Sequence, residues 1–300
     1  MNSRVGQQLG NYQLIQFLGK GSFAEVYLGG HIHLGTLAAV KVLYTGLMDS
    51  EAFRIEARIV ASLIHPNIVR VLEFGIEDET PFLVMDLAPY GSLRQRHTSG
   101  ERVPLPAVIS YVRQVADALQ YAHDESLVHR DVKPGNMLVG RRQEVLLSDF
   151  GIATLARPSA AQHSHKTSGT TLYMAPEQLR GRPCAASDQY SLGIVVYEWL
   201  CGTPPFSGPS SLEVALKHIS EPPQPLRAIV PLISPAVEQV VMKAIAKDAG
   251  QRFESVQAFA VALEQASLLA SSCSSNEQTL PESPLSGSPD DTQPMLPYEY

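Results

Sequence analysis

The stretch LVHRDVKPGNMLV, residues 127–139, decides how this chain is read. His129, Arg130, Asp131, Lys133 and Asn136 crowd between two apolar runs. Removing such groups from water costs free energy unless each has a partner, so their concentration marks a site. Thirteen residues past Asn136, LLSDFGIA sets Asp149 directly after a strand-like run, with Phe150 and Gly151 behind it. An acid and an amide placed in this way offer hard oxygen ligands. They suit Mg²⁺ when substrate phosphates and water complete its shell.

Towards the N-terminus, LGKGSFAEVYLGG (18–30) is a glycine-rich loop with strand-like YQLIQFL before it and strand-like AEVYLGG after it. In a Rossmann unit such a loop leads from a strand into a helix. Two flanking strands instead make it a hairpin flap, which excludes a dinucleotide oxidoreductase. Gly19 and Gly21 let backbone N–H groups approach a phosphate where side chains would prevent it. The next run, LAAVKVL, presents Lys41 amid apolar neighbours. It is either a solvated outward residue or a buried ammonium, and a buried one requires a partner. Glu56, set among apolar residues in FRIEARIV, is the natural one. From Tyr12 to Met85 the texture is strand-like, broken by one helical segment, SEAFRIEARIVASLIH, which Pro66 follows.

From Pro104 onward the texture is helical. LPAVISYVRQVADALQYAHDES places Val108, Val112, Val115, Ala116, Leu119 and Ala122 on one face. Short strands are expected near NMLV and EVLLSD. A small sheet with one helix, followed by a mainly helical half, makes an α+β chain. Residues 271–300 hold seven Ser, five Pro and no Lys or Arg. Such a segment buries too little apolar surface to offset its ordering entropy, so it reads as a disordered acidic Ser/Pro-rich tail.

The 300 residues are 44% hydrophobic and 18% charged, which excludes collagen, coiled coil and wholesale disorder. The net charge is −7, yet five acids of the tail account for most of it. A nearly neutral body argues against nucleic-acid or anionic-membrane binding by bulk charge. Three cysteines without metal-ligand spacing read as reduced thiols of a cytoplasmic protein. The most apolar stretch, SLGIVVYEWLCGTPPF, is short and contains Glu198, so no membrane span is expected. His163 and His165 read as a solvated loop, and Arg94, Arg96 and Arg102 as a solvated surface.

GKGSFAEV, AAVK, HRDVKPGN, DFG, APE and SDQYSLG follow one another in that order. With these motifs the chain resembles the eukaryotic-like (Hanks-type) protein Ser/Thr kinases, most closely their bacterial members. The resemblance spans 12–268 and implies a bilobal protein-kinase fold. Its N-lobe, about 12–86, is an antiparallel sheet with one main helix, and its C-lobe, about 89–268, is mainly α. It implies transfer of the γ-phosphoryl group of ATP to Ser/Thr hydroxyls of proteins, with Mg²⁺, or Mn²⁺ in its place.

The same resemblance implies roles. Gly19, Lys20, Gly21 and Ser22 would cover the phosphates, and Lys41, steadied by Glu56, would hold the α- and β-phosphates. Asp131 would orient the substrate hydroxyl and accept its proton, Lys133 would contact the γ-phosphate, and Asn136 and Asp149 would bind metal. Leu18, Val26, Ala39 and Leu138 would sandwich adenine. Met85 would be the gatekeeper, and the backbone of Asp86 and Ala88 would bond the adenine edge. Glu177 is expected to pair with Arg252, Asp188 to hold the catalytic-loop backbone, and Phe150 to stack with His129 and Val60.

The third loop glycine is replaced by Ala24. Arg130 before Asp131 implies control by activation-loop phosphorylation, with Ser164, Thr167 and Ser168 as candidates and autophosphorylation as the route. Few further basic residues are placed to meet such a phosphate, so modest activation is expected. A kinase-domain dimer would serve autophosphorylation. Ser92, where basophilic relatives carry an acid, argues against a strong Arg requirement in protein substrates. Two other readings stay open: a nucleotide-binding pseudokinase scaffold and a small-molecule kinase. Retention of Lys41, Asp131 and Asp149 counts against the first, and the APE segment with Lys133 against the second.

Overall fold

The strand-like runs form six antiparallel strands: β1 (Gln8–Leu9), β2 (Tyr12–Lys20), β3 (Ala24–His31), β4 (Leu37–Leu43), β5 (Val71–Glu77) and β6 (Thr80–Met85). They pair in the order β1-β2-β3-β4-β6-β5. The computed structural model describes residues 4–21, 24–44, 58, 60–150 and 171–275. Ser22, Glu56, Ser164, Thr167 and Ser168 therefore lie outside the described residues. The sheet begins at Gln8, ahead of the expected boundary at Tyr12, because Leu9 pairs with Tyr12 and is wholly buried. A two-residue strand carries no alternation to read.

Register separates the faces of this sheet. Residues directly opposite one another in an antiparallel pair share a face, and the face alternates along each strand. Gly19 faces Val26, Val26 faces Lys41, and Lys41 faces Leu83. The next rung on that face is Leu28, Ala39 and Met85. The opposite face carries Tyr27, Val40 and Val84, which close a separate core with Leu9, Tyr12, Leu14, Ala38, Val42 and Phe82. Ala24, Leu43, Leu83 and Met85 instead join the large core of the helical half. Lys41 thus stands on the face turned towards that half.

The helical half comprises α1 (Leu93–Arg96), α2 (Leu105–Asp124), the hairpin β7 (Met137–Val139) and β8 (Val145–Leu147), α3 (Pro176–Leu179), α4 (Ala185–Cys201), α5 (Ser211–Ser220), α6 (Leu226–Ile229), α7 (Pro235–Ala244) and α8 (Val256–Ser275). In α2, Pro106 occupies the first turn, where a missing N–H costs no helix bond. The face from Val108 to Ala122 is buried as its spacing predicts. Every residue of α4 from Ser187 to Cys201 is buried. A helix apolar nearly all round belongs at a core centre, and each Leu, Ile or Val fully buried there contributes about 1.5–3 kcal/mol. Gly193 permits its close packing, since a Cβ there would lie 2.7 Å from Ile245.

Helix α8 runs to Ser275, so residues 271–275, expected as the start of a disordered tail, are helical. Their serines are mediocre helix formers, but no proline precedes Pro281 to stop the backbone bonds. The tail from 276 lies outside the described residues. Among the described residues no helix is long and apolar enough to cross a membrane.

Candidate active site

The β7–β8 hairpin brings two loop ends together. Met137 pairs with Leu147, so Asn136 and Asp149 leave the ladder at the same end. The Asn136 carbonyl accepts from Ser148 N and Oγ at 2.9 and 3.1 Å. From the sheet, Lys41 Nζ reaches Asp149 Oδ1 at 2.5 Å. Burial of the Asp149 carboxyl raises its pKa, but Lys41, with smaller help from His129 and Lys133, holds it below the usual carboxylate value. Asp149 is therefore a carboxylate at neutral pH, with oxygens of the kind that suit a hard cation.

Asp131 sits beside this pair in a network of its own. Lys133 Nζ donates to both its carboxylate oxygens, at 3.0 and 2.7 Å. Asn136 Nδ2 donates to the Asp131 carbonyl at 2.8 Å and to Oδ2 at 2.9 Å. Both amide hydrogens of Asn136 are committed there, so its oxygen is the atom it can offer a cation.

The loop rests on an acid buried in α4. Asp188, wholly buried, accepts from the backbone N–H groups of His129 and Arg130 and from His123 Nε2, each at 2.8 Å. A buried carboxylate is tolerable only with such partners. His129 Nε2 donates to the Ser148 carbonyl at 2.9 Å, and its Nδ1 accepts from Asp131 N–H at 3.2 Å. The rings of His129 and Phe150 lie 4.5 Å apart, and Val60 shares the core cluster of Phe150.

The residues expected around adenine differ in cover. Leu18 is 45% exposed, Val26, Ala39, Ala88 and Leu138 are half-buried, and Met85 is buried. The N–H of Asp86 donates to the Arg70 carbonyl at 3.0 Å. A Cβ placed on Gly19 would meet nothing within 4 Å. Packing among the described residues therefore does not require glycine there. The Lys20 ammonium lies 3.7 Å from Glu25.

The protein kinase domain profile matches residues 12–263. The chain belongs to the protein kinase family. It is similar to the serine/threonine-protein kinase PrkC of Bacillus subtilis, 34% identical over 259 residues, which cover 84% of this chain and 40% of that protein. It is also similar to the serine/threonine-protein kinase PknA of Mycobacterium tuberculosis, 38% identical over 274 residues, covering 88% and 63%. The chain thus spans about two fifths of the first relative and under two thirds of the second.

In this kinase domain Glu177 meets Arg252 through two contacts, at 2.7 and 2.9 Å, and accepts from Ser187 Oγ at 2.7 Å. Burial raises the Glu177 pKa, but Arg252 and Ser187 together hold it below the usual glutamate value. Arg94 corrects an expectation. It does not lie on a solvated surface: it grips Glu198 of α4 through two bonds, at 2.8 and 3.0 Å. Tyr173 donates to the same carboxylate at 2.6 Å and also bonds Arg94. The available signal was Glu198 itself, an acid in an apolar helix that needs a cation. Arg96 reaches Gln143 at 2.6 Å and stays exposed, as does Arg102.

Proposed function

We propose that this chain is an ATP-dependent protein serine/threonine kinase that also phosphorylates its own activation loop. The observation that carries the reading is the Lys41–Asp149 contact, which joins the sheet to the loop beside Asp131. The residues present fit a nucleotide with a divalent cation: open space at Gly19, an acid kept anionic, an amide oxygen and two ammonium groups. Bound ATP would supply the transferable phosphoryl group, and the cation would neutralise charge on its oxygens. Asp149 and Asn136 would hold the cation, and Lys41 would turn from Asp149 to phosphate oxygens.

Asp131 would orient the incoming hydroxyl and accept its proton as that oxygen bonds to the γ-phosphorus and ADP departs. Lys133, already beside Asp131, balances negative charge there and on the transferred group. Phosphoryl transfer asks mainly for positioning and electrostatics, which this network provides. The order HRDVK, and relatives that are themselves named serine/threonine kinases, support Ser and Thr as acceptors.

The experiment is incubation with Mg²⁺ and radiolabelled ATP, with casein as a generic protein substrate, followed by phosphosite mapping. An Asp131→Asn control runs beside it. Label on Ser or Thr of the activation loop and of casein, absent in the control, is expected. ATP binding without label on either protein would move the conclusion to a scaffold.

A further inference from the structure

We infer that Gln178, which directly follows the APE motif, is a positioning residue for Asp131, acting through the carbonyl of Arg130. The inference rests on the reading of Asp131 as the group that receives the hydroxyl proton. Arg130 has φ +68°, a left-handed conformation that a non-glycine residue keeps only when its surroundings hold it. Asp188 supplies part of that hold through the N–H groups of His129 and Arg130. Those bonds stop short of the peptide joining Arg130 to Asp131.

That peptide is fixed by two other partners. Its N–H donates to His129 Nδ1 at 3.2 Å, and its carbonyl accepts from Gln178 Nε2 at 2.6 Å. The orientation of this plane depends on ψ of Arg130 and φ of Asp131, the torsions that swing the Asp131 side chain. Asp188 leaves both torsions free, and Gln178 with His129 does not.

Gln178 also has a rigid base. It stands on α3 next to Glu177, whose carboxylate is clamped by a wholly buried Arg252 side chain. Position is therefore handed from Arg252 to Glu177, through the backbone to the adjacent Gln178, and across to the catalytic loop. Gln178 Oε1 is buried without a partner among the described residues, while Nε2 is turned onto Arg130.

The test uses the full chain with Gln178→Met, which keeps the volume and removes the donor. Gln178→Glu keeps the shape and turns an acceptor towards the carbonyl. Both are compared with Asp131→Asn in steady-state assays with ATP and casein, with thermal unfolding measured on each. Gln178→Met is expected to lower kcat about tenfold, the effect of one hydrogen bond made in the productive geometry. KM for ATP stays within about twofold when the ground-state nucleotide contacts are untouched. Gln178→Glu loses at least as much, and both variants unfold in a single transition near the parent. An unchanged kcat in either folded variant overturns the inference, as does a loss explained by a smaller folded fraction. Activity surviving in Asp131→Asn is a separate failure, of the proton-acceptor reading itself.

Discussion

Lys41 meets Asp149 through one oxygen at 2.5 Å, and the two side chains are 13% and 38% exposed. Arg252 meets Glu177 through two oxygens, at 2.7 and 2.9 Å, and the side chains are 0% and 14% exposed. Arg252 further donates to the carbonyls of Ala246 and Ala186, both at 2.8 Å. A single-point pair within reach of water can exchange its partner for a phosphate oxygen or a cation. A two-point pair with every donor matched cannot, so it serves as a fixture. Under the proposed function the upper pair is the part that works, and the lower one is the floor on which the loop and α3 stand.

Removing one partner from each pair separates these roles. Arg252→Met strands Glu177 in a largely dry place and is expected to cost about 3–5 kcal/mol of stability in urea unfolding. A loss below about 1 kcal/mol, the range of exposed pairs, would mean the pair is no fixture. Lys41→Met is expected to leave the unfolding midpoint nearly unchanged while phosphoryl transfer falls about 10²–10³-fold, as for loss of one preorganised charge-stabilising donor. A variant that loses stability and activity together would erase the contrast between the two pairs.

The floor also holds a base in its neutral form. His218 is wholly buried, with Nδ1 2.9 Å from the Tyr190 hydroxyl and its ring 4.8 Å from that of Phe206. Burial chiefly, then Lys247, pushes its pKa down to about 3 from the ordinary 6.5. The unfolded chain takes up a proton below pH 6.5 that the folded chain refuses. The stability this site contributes is therefore present above pH 6.5 and lost as the pH falls towards 3. The slope from this residue is about 1.4 kcal/mol per pH unit between those limits. His218→Gln, which can still accept from Tyr190, should remove it, as measured by urea unfolding at pH 6 and pH 5. An unaltered pH dependence would show that this imidazole is not responsible.

The motifs between Gly19 and Asp188 made the kinase fold and the cleft legible, because each gathers polar groups that an apolar core would reject. The short strand-like runs at β3, β4 and β6 also carried the sheet. What escaped depends on long-range pairing. Arg94 and Glu198 are 104 residues apart, and neither alone says which partner it will find. Local pattern pairs Lys41 with Glu56, which lies outside the described residues; among those described, Lys41 meets Asp149, brought in by the β7–β8 hairpin, which no local pattern announces. Gln178 gave no signal of its own, since its hydrogen bond to Arg130 exists only once α3 is anchored. The helical end of α8 was hidden by composition: serine-rich sequence marks a tail, but composition does not say where a helix already under way will stop.

The smallest effect concerns the activation loop. The peptide groups around Asp131 are held by Asp188, His129 and Gln178, and its carboxylate by Lys133 and Asn136. None of these contacts requires a phosphate. Arg130, the basic residue expected to receive one, has its N–H and carbonyl committed already. A phosphate on the loop therefore adds to a catalytic loop that is formed without it, through the guanidinium alone. Replacing Ser164, Thr167 and Ser168 together by Ala is expected to lower kcat less than about tenfold, the scale of one charge-assisted contact at a partly exposed site. Activity of the triple variant on casein, compared with the parent after its own autophosphorylation, measures this. A loss as deep as that of Lys41→Met would show that the loop geometry described here depends on the phosphate after all.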